Sequence, residues 1–373
     1  MSKGRFERKK EKKRASAGKI ILIIFAVLLV LIIAAGIAVY AIYSSLVGNV
    51  TVVEVPDIVY TTAPTEVAET EPVATTEEAT VPTETEYVPS SEDFINILVV
   101  GQAARDGEAE RFADTMILLT LNKHEKTLTM TSFLRDSFAK MPNYKGHNGG
   151  RIKLTTIYHL GSFYSNGEIA GSMELMNQAL YDNFGVEVDH NIEVDFDCFV
   201  KMVDMVGGLP VELTQEEVDY LLADDRYVRY ETLEPGWTCI DGMAALSYVR
   251  MRKAEGDGDS DIKRTARQRQ AITNLLVSIS RLSLSELQDM AEEILPLITT
   301  SMSKSEITEM LLLVLPMLPE LTIESSGTCP VEGTYWGDMV DIYDDGFLHS
   351  VVKFDSAEQK KLMRALTEGE IAE

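Results

Sequence analysis

Basic side chains are concentrated between residues 248 and 270 of a chain whose formal net charge is -25. The lysines and arginines of this stretch are Arg250, Arg252, Lys253, Lys263, Arg264, Arg267 and Arg269. Arg264 and Gln268 stand four residues apart, and the same spacing continues into an apolar series over residues 272–279. This period predicts a helix with one face toward a core, so we expect Arg264 and Gln268 to point inward.

A buried arginine needs an anionic partner, because burying a guanidinium charge without one is costly. Arg264 also lies near the first turn of the predicted helix, the end at which the helix dipole disfavours a positive charge. A phosphate would supply the partner, helped by free backbone N–H groups at the helix start. The alternative is an internal network in which Asp259, Asp261 and other carboxylates neutralise the arginines.

Other charged side chains stand beside predicted strands and loops. Asp114 leads directly into a predicted buried strand, where a carboxylate is either a local cap or a metal ligand. Arg135 and Asp136 follow the end of another predicted strand, and sites on α/β sheets gather at strand ends. Lys153 follows a glycine-rich loop. Each of these segments by itself is unspecific.

The N-terminal part of the chain predicts a membrane anchor. Residues 1–19 hold nine Lys or Arg and two Glu, and residues 20–43 hold no charged side chain. A helix of that length reaches roughly 36 Å, enough to cross a hydrocarbon core of about 30 Å. The basic flank predicts a cytoplasmic N-terminus and an outer main domain. A cleavable signal peptide is disfavoured, because the apolar run is long and no clear cleavage site follows it.

The rest of the chain is acidic and begins with a region of low complexity. Subtracting the +7 of the basic tail from the total leaves -32 for the remainder, which argues against nucleic acid as a partner. Residues 44–92 are rich in Thr, Glu, Pro, Val and Ala, and we interpret them as a disordered linker. Residues 93–368 are then the folded domain.

The pattern of the folded domain predicts an α/β architecture. Short β-rich runs cover residues 96–101, 116–121 and 127–133, with further short strands near residues 192–194, 209–213 and 351–354. Helical patterns cover residues 169–181, 196–206, 243–250, 264–282, 284–295, 303–315 and 357–366. We therefore expect a central mixed β-sheet with helices on both sides.

The three cysteines form a weak disulfide framework. Cys239 and Cys329 stand in loop-like stretches and could pair outside the membrane, but the sequence gives no distance between them. Cys198 lies in an apolar segment and is expected to be buried and free.

Taken in order, these segments resemble the LytR-CpsA-Psr family. The resemblance covers about residues 94–275 and includes a strand entry ending in Asp114-Thr115, the Arg135-Asp136 pair, the Lys153 segment and the diglycine Gly207-Gly208. It continues through residues 246–252, which read Leu-Ser-Tyr-Val-Arg-Met-Arg, and through residues 261–268. Seven motifs in the same order are specific, although each alone is weak.

The resemblance implies an extracytoplasmic phosphotransferase. Such enzymes move a glycopolymer from a polyprenyl-pyrophosphate carrier to peptidoglycan, and they use Mg²⁺ or Mn²⁺. By position, the residues matching a catalytic role are Asp114, Arg135, Asp136 and Asp261. The matching pyrophosphate-binding residues are Arg135, Lys153, Arg250, Arg252, Arg264, Arg267 and Gln268. Asp114 and Asp106 are the expected metal ligands.

Three positions depart from the family pattern. Ala103 stands where the family has an aspartate, and Asp106 is the nearest replacement. Phe112 stands where the family usually has an arginine, although Arg111 is adjacent, and Thr155 replaces an asparagine. These changes leave a second hypothesis, a polyprenyl-phosphate-binding or regulatory paralogue with impaired catalysis.

A polyprenyl carrier also requires an apolar channel. The side chains that we expect to line it are Phe133, Phe138, Tyr158, Phe196, Phe199 and the stripe over residues 272–276.

Overall fold

The structure is a computed structural model that describes residues 50–56, 90–102, 111–224, 230, 232–252, 260–317, 320–344 and 346–369. The predicted membrane segment, residues 20–43, lies outside these ranges. Within them, no helix is both long and apolar enough to cross a membrane.

A seven-stranded mixed sheet forms the centre of the described domain, with strand order β1-β12-β9-β2-β3-β4-β13. Its strands are β1 (Thr51–Val52), β2 (Phe94–Gln102), β3 (Ala113–Asn122), β4 (Thr127–Phe133), β9 (His190–Val194), β12 (Thr299–Thr300) and β13 (Thr322–Cys329). Strands β2, β3 and β4 form an antiparallel meander, whereas β9 is parallel to β2 and β13 is parallel to β4. The prediction of a mixed central sheet is confirmed.

Helices cover both faces of this sheet. They are α1 (Leu154–Tyr164), α2 (Ile169–Phe184), α3 (Phe196–Met205), α4 (Gln215–Ala223), α5 (Gly242–Arg250), α6 (Ser260–Ile279), α7 (Leu284–Ile294), α8 (Lys304–Met317) and α9 (Ser356–Thr367). Helices α1, α2 and α9 share one core with Leu98, Val100 and Met116. Helices α3 to α6 build a second core that includes Val203, Val249 and Leu275. The second core lies on the face that carries the candidate site.

Four two-stranded ladders complete the structure. They pair β5 (Phe138–Lys140) with β8 (Arg151–Lys153), β6 (Asn143–Tyr144) with β7 (His147–Asn148), β10 (Leu209–Leu213) with β11 (Gly236–Ile240), and β14 (Tyr335–Val340) with β15 (His349–Phe354). The β5–β8 ladder brings Lys153 next to the turn after β4, because Phe138 is the register partner of Lys153.

The structure corrects the predicted boundary of the linker. Thr51 and Val52, inside the range 44–92, form strand β1 at the edge of the central sheet, parallel to β12. Val50 is buried beside them. The run of residues 50–53, Val-Thr-Val-Val, has strand-forming composition, but it is short and stands in a region whose overall composition predicts a linker. Residues 57–89 of the predicted linker lie outside the described ranges.

The cysteine predictions have a mixed outcome. Cys198 is buried and free, as predicted. Cys239 and Cys329 are also free, and they lie in strands β11 and β13 rather than in loops. Cys239 is exposed while Cys329 is buried in the core below the other face of the sheet, so the two do not pair.

A close contact between helices α1 and α2 fixes the position of the segment that carries Lys153. A Cβ atom added to Gly161 would lie 2.2 Å from the carbonyl oxygen of Gly171 and 2.6 Å from the Cα of Ser172. Only glycine lets the two helix backbones approach so closely. Helix α1 begins directly after Lys153, so this contact helps to set where the lysine stands.

We predict that Gly161→Ala lowers the free energy of unfolding by about 2–3 kcal/mol, because the added methyl group forces the two helices apart. Gly150→Ala is the matched control, since a Cβ at Gly150 meets nothing within 4 Å. Urea denaturation measures both variants. An equal, small effect for the two would contradict the packing argument.

Candidate anion site and apolar cavity

The turn after β4 brings Arg135 against three carboxylates. Its Nη1 lies 2.5 Å from Asp114 Oδ1, at the start of β3. Its Nε lies 3.7 Å from Asp136 Oδ2 and 3.9 Å from Asp261 Oδ1. The two strands are antiparallel neighbours, so the start of β3 lies beside the end of β4. Asp261 reaches the cluster from the first turn of α6.

Two further cations reach the same carboxylates. Lys153 Nζ donates to Asp136 Oδ1 at 2.8 Å. Arg252 Nη2 lies 3.9 Å from Asp114 Oδ1, and its side chain is about half exposed. The structure therefore brings together predicted site residues that are far apart in the sequence, from Asp114 to Asp261.

Arg264 is the most deeply buried cation of the cluster, with 3% of its surface exposed. Its Nη2 forms a 2.7 Å ion pair with Asp261 Oδ1. Despite this short distance, neither Nη2 nor Nε of Arg264 makes a hydrogen bond of good geometry among the described residues, and the same is true of Arg135 Nε. The internal network expected as the alternative exists, but it leaves buried N–H donors unsatisfied. Such donors are costly unless an acceptor completes them.

Burial opposes the charged state of both members of the Arg264–Asp261 pair. Desolvation raises the pKa of Asp261, against the opposing effect of Arg264 and Arg135. Desolvation also lowers the pKa of Arg264, while Asp261 raises it and the neighbouring Arg135 and Arg252 lower it. The like charges of these arginines would be relieved by a bound anion.

Arg267 and Gln268, which are both predicted to contact phosphate, have different surroundings. Arg267 Nε binds Glu217 Oε1 at 2.8 Å, and its Nη1 donates to the carbonyl of Met251 at 3.1 Å. It therefore stands in an internal ion pair, away from the residues that line the cavity. Gln268 does line the cavity and donates to the carbonyl of Val249 at 3.4 Å.

An apolar cavity of about 560 Å³ opens beside the charged cluster. Its polar lining at that end includes Asp114, Arg250, Arg252, Arg264 and Gln268. Most of the remaining lining is apolar and comes from strands β2, β3 and β9 and helices α3, α5 and α6. Arg250 lies over the ring of Phe196, 4.6 Å from its centroid. The volume is typical of a small-ligand site.

Helix α6 lines the cavity along its length. Arg264 and Ile279 both contribute to the lining, and fifteen residues of α-helix separate them by roughly 22 Å. The predicted apolar stripe is confirmed as lining, together with Phe196 and Phe199.

The remaining predicted channel residues do not line the cavity. Phe133 and Tyr158 are buried in the core of the opposite sheet face. Phe138 lies in the short strand β5, also away from the cavity. Sequence composition marks these aromatic residues as apolar but does not say which face of the sheet they occupy.

One wall of the cavity carries polar residues that were not predicted. Tyr220, Asp224 and Ser247 line the wall formed by α4 and α5, and Ser247 Oγ donates to Asp224 Oδ2 at 2.8 Å. The position of Ser247, three residues before Arg250 on one helix, is the signal that could have found it.

Arg111 does not replace the missing arginine at position 112. Its Nη1 donates to Gln102 Oε1 at 2.8 Å and to Glu193 Oε1 at 3.1 Å. Glu193 also accepts a hydrogen bond from the buried hydroxyl of Tyr158. Arg111 thus belongs to a separate network that includes a residue from the core of the other sheet face.

The structure describes Asp114, one of the two predicted metal ligands, but not the other. Asp106 and Ala103 lie outside the described ranges. Among the residues that the structure describes, no group of three or more His, Cys, Asp or Glu side chains could hold an ion. Asp114 places one carboxylate in the cavity lining.

Fold and site together define a protein with an arginine-lined mouth and an apolar cavity on an α/β sheet, suited to an amphiphile with an anionic head. The sequence model of the LytR_cpsA_psr family matches residues 58–338. The chain belongs to that family.

Known proteins resemble this chain in both sequence and fold. The polyisoprenyl-teichoic acid–peptidoglycan teichoic acid transferase TagU of Oceanobacillus iheyensis is 31% identical over 180 residues, 48% of this chain and 50% of TagU. The chain thus spans about half the length of the curated relatives that it matches.

Two solved structures share the fold. A structure of TagT bound to LIIa-WTA has a TM-score of 0.56 and 21% identity, covering 77% of this chain and 95% of that one. The LytR-CPS2A-psr family protein YwtF (TagT) with bound octaprenyl pyrophosphate lipid has a TM-score of 0.50 and 20% identity, covering 76% and 93%.

We predict that anion binding at this site depends on pH, because burial raises the pKa of Asp261, which lies beside Arg264. An anion beside this carboxyl raises its pKa further, so binding takes up a proton and affinity increases as pH falls through that pKa. Sulfate is a suitable probe because its charge is constant between about pH 4 and pH 8. Calorimetry should show tighter sulfate binding at the lower pH for the wild type.

Asp261→Asn is the control for this pH dependence. It should bind sulfate more tightly than the wild type at neutral pH, with a flatter profile, because the titrating carboxylate is gone. A wild-type profile that is flat, or one that Asp261→Asn reproduces, would exclude Asp261 as the cause.

Proposed function

We propose that this chain is a membrane-anchored extracytoplasmic phosphotransferase that moves a glycopolymer from a polyprenyl-pyrophosphate carrier to peptidoglycan. One observation carries the proposal: buried Nε donors make no hydrogen bond among the described residues in Arg264, which lines the apolar cavity, and in Arg135, which pairs with the lining residue Asp114. The pyrophosphate of a polyprenyl carrier would supply acceptors for these donors, and its polyprenyl chain would fill the cavity. The TagU and TagT relatives support the same substrate class.

The arginines would hold the pyrophosphate. Arg264 and Arg135 each retain a buried N–H that makes no hydrogen bond among the described residues. Arg252 is half exposed at the mouth and adds a third guanidinium. Charge-assisted hydrogen bonds of this kind are short and strong, and planar guanidinium groups match phosphate oxygens. The carboxylates of Asp136 and Asp261 lie beside Arg135 and Arg264 and would hold these side chains in place.

In the proposed reaction a hydroxyl of peptidoglycan attacks the phosphorus on the polymer side of the pyrophosphate. A new P–O bond to the acceptor forms, and the bond to the bridging oxygen breaks. Polyprenyl phosphate leaves with the bridging oxygen, and the acceptor's proton is released to solvent. Arg264 and Arg135 stabilise the charge that moves onto the leaving phosphate, since preorganised donors act where charge develops.

The residues present fit a magnesium or manganese ion that is held mainly by substrate. Asp114 offers one carboxylate at the mouth, and Mg²⁺ commonly takes one or two carboxylates together with substrate phosphate oxygens. Asp114 would hold the ion, and Asp106 is the second proposed ligand. When bound, the ion would neutralise charge on the pyrophosphate oxygens. Asp114 also pairs with Arg135, so the same carboxylate positions an arginine.

The proposed location follows from the sequence of the first 43 residues. The basic tail stays in the cytoplasm, residues 20–43 span the membrane, and the main domain faces the cell wall, where the polyprenyl carrier and peptidoglycan meet.

We predict that Arg264→Ala weakens binding of polyprenyl phosphate by about 2–5 kcal/mol, because a charge-assisted and desolvated contact is lost. Arg267→Ala is the matched control from the same helix. It breaks the internal pair with Glu217 and should reduce stability while leaving lipid affinity nearly unchanged. Fluorescence titration and thermal unfolding measure the two quantities. If Arg264→Ala unfolds the protein and the lipid affinity of the remaining folded fraction is unchanged, the arginine is structural only.

We further predict that Asp114→Ala lowers glycopolymer transfer roughly 100-fold or more, while lipid binding persists. A group that stabilises charge developing in the transition state contributes more to the rate of transfer than to lipid binding in the ground state. Its loss should therefore lower the transfer rate more than the lipid affinity. Single-turnover transfer from a labelled donor measures the first quantity, and lipid titration measures the second. If Asp114→Ala lowers transfer and lipid affinity by the same factor, Asp114 contributes to lipid binding alone.

The same assay decides the second candidate function. A binding or regulatory paralogue is favoured by Arg111, which is bound to Gln102 and Glu193 and does not line the cavity. If this chain is such a paralogue, the wild type binds polyprenyl phosphate as tightly as the proposed enzyme would, but it transfers no glycopolymer. Activity gained on Ala103→Asp would then identify the missing carboxylate as the reason.

A further inference from the structure

The hairpin of strands β14 and β15 is joined to the turn that carries Arg135 and Asp136. The N–H of Val352 donates to the carbonyl oxygen of Asp136 at 2.9 Å, and an isolated bridge pairs Val352 with Ser137, the residue before β5. Strand β5 pairs in turn with β8, which ends at Lys153. Strands β14, β15, β5 and β8 therefore lie side by side in that order.

Trp336 and Lys153 lie on the same face of these four strands. Cross-strand partners share a face, and successive side chains of a strand alternate between the two faces. Phe138 is the partner of Lys153, and Trp336 is the partner of Lys353. The bridge between β5 and β15 joins the residue before Phe138 to the residue before Lys353, so these two also share a face. We name the surface formed by Lys153, Phe138, Lys353 and Trp336 the Trp336 face.

The Trp336 face presents aromatic surface to solvent beside the anion site. Trp336 is 55% exposed, and Phe138 is partly exposed. Three strand spacings, roughly 14 Å, separate the backbones of β14 and β8. Lys153 at the other end of the face is bound to Asp136 in the charged cluster. A short oligosaccharide is long enough to contact the indole ring and the anion site at the same time.

The charges on the hairpin disfavour an anionic polymer. Lys353 Nζ lies 2.6 Å from Asp338 Oδ2, so its positive charge is offset by a neighbouring carboxylate. Asp341 and Asp344 follow β14 in the chain and add further negative charge. An anionic glycopolymer would be repelled by these carboxylates, whereas the amino-sugar chain of peptidoglycan carries no charge on its backbone.

We infer that the Trp336 face binds the glycan chain of peptidoglycan, with the indole of Trp336 stacked against the C–H face of one sugar ring. An acceptor hydroxyl further along the same chain then reaches the anion site beside Lys153. The inference rests on the proposed function, since it requires a peptidoglycan acceptor. Trp336 does not line the cavity, so its contribution is to acceptor binding and not to binding of the lipid carrier.

Removing the indole should weaken binding of the acceptor alone. In transfer assays with soluble peptidoglycan glycan fragments, the full chain carrying Trp336→Ala should have an acceptor KM at least about fivefold higher than the wild type. Its kcat and its affinity for polyprenyl phosphate should change less than about twofold. Trp336→Tyr should recover most of the lost affinity, because an aromatic ring is kept. An unchanged acceptor KM in Trp336→Ala contradicts the inference, and so does an increase in the donor KM instead.

Two exposed residues outside the Trp336 face serve as controls. Trp237, on β11, is 70% exposed and does not line the cavity. Met339 lies on β14 itself, but it is three residues after Trp336 and therefore on the opposite face. Trp237→Ala and Met339→Ala should both have the acceptor KM of the wild type. If either control raises this KM as much as Trp336→Ala does, the effect is not specific to the Trp336 face and the inference is wrong.

Tryptophan fluorescence tests the contact without any transfer reaction. The chain has two tryptophans, so Trp237→Phe leaves Trp336 as the only one. Titration of this variant with the glycan fragments should change the emission of Trp336 in the absence of donor. Unchanged emission at saturating fragment contradicts the inference. A wild type that transfers nothing from any donor contradicts the proposed function instead, so the two failures are distinguishable.

Discussion

The burial of Arg264 is the constraint on which the site depends. A guanidinium with almost no exposed surface at the start of a helix is stable only if nearby groups offset its lost hydration. Asp261 supplies one carboxylate, but the Nε of Arg264 still makes no hydrogen bond among the described residues. An anion would supply the missing acceptor, and this is the reason why we propose that Arg264 is a binding group.

The same helix connects the charged and apolar parts of the site. Helix α6 places Arg264 at the mouth and its apolar stripe along the cavity, so one element determines both the head-group and the tail position. The sheet contributes the opposite wall through β2, β3 and β9, while the β3–β4 pair brings Asp114 and Arg135 together. The geometry thus fits an amphiphile that has a charged group at one end and an apolar chain extending from it along helix α6.

Local periodicity in the sequence predicts one part of this site. The spacing of Arg264, Gln268 and the stripe predicted one helix face, and that face lines the cavity. The ion pair of Arg267 could not be predicted, because its partner Glu217 comes from a distant helix that no local pattern reveals. The aromatic residues Phe133 and Tyr158 were misplaced because composition does not determine the sheet face, and β1 was missed because its short run stands in a region whose overall composition predicts a linker.

The most direct test of the account is a crystal structure of the chain with bound polyprenyl phosphate. The account predicts phosphate oxygens within hydrogen-bond distance of Arg264 Nε and Arg135 Nε, with the tail along the α6 stripe toward Ile279. A lipid whose phosphate binds elsewhere, with both Nε groups still unpaired, would contradict it.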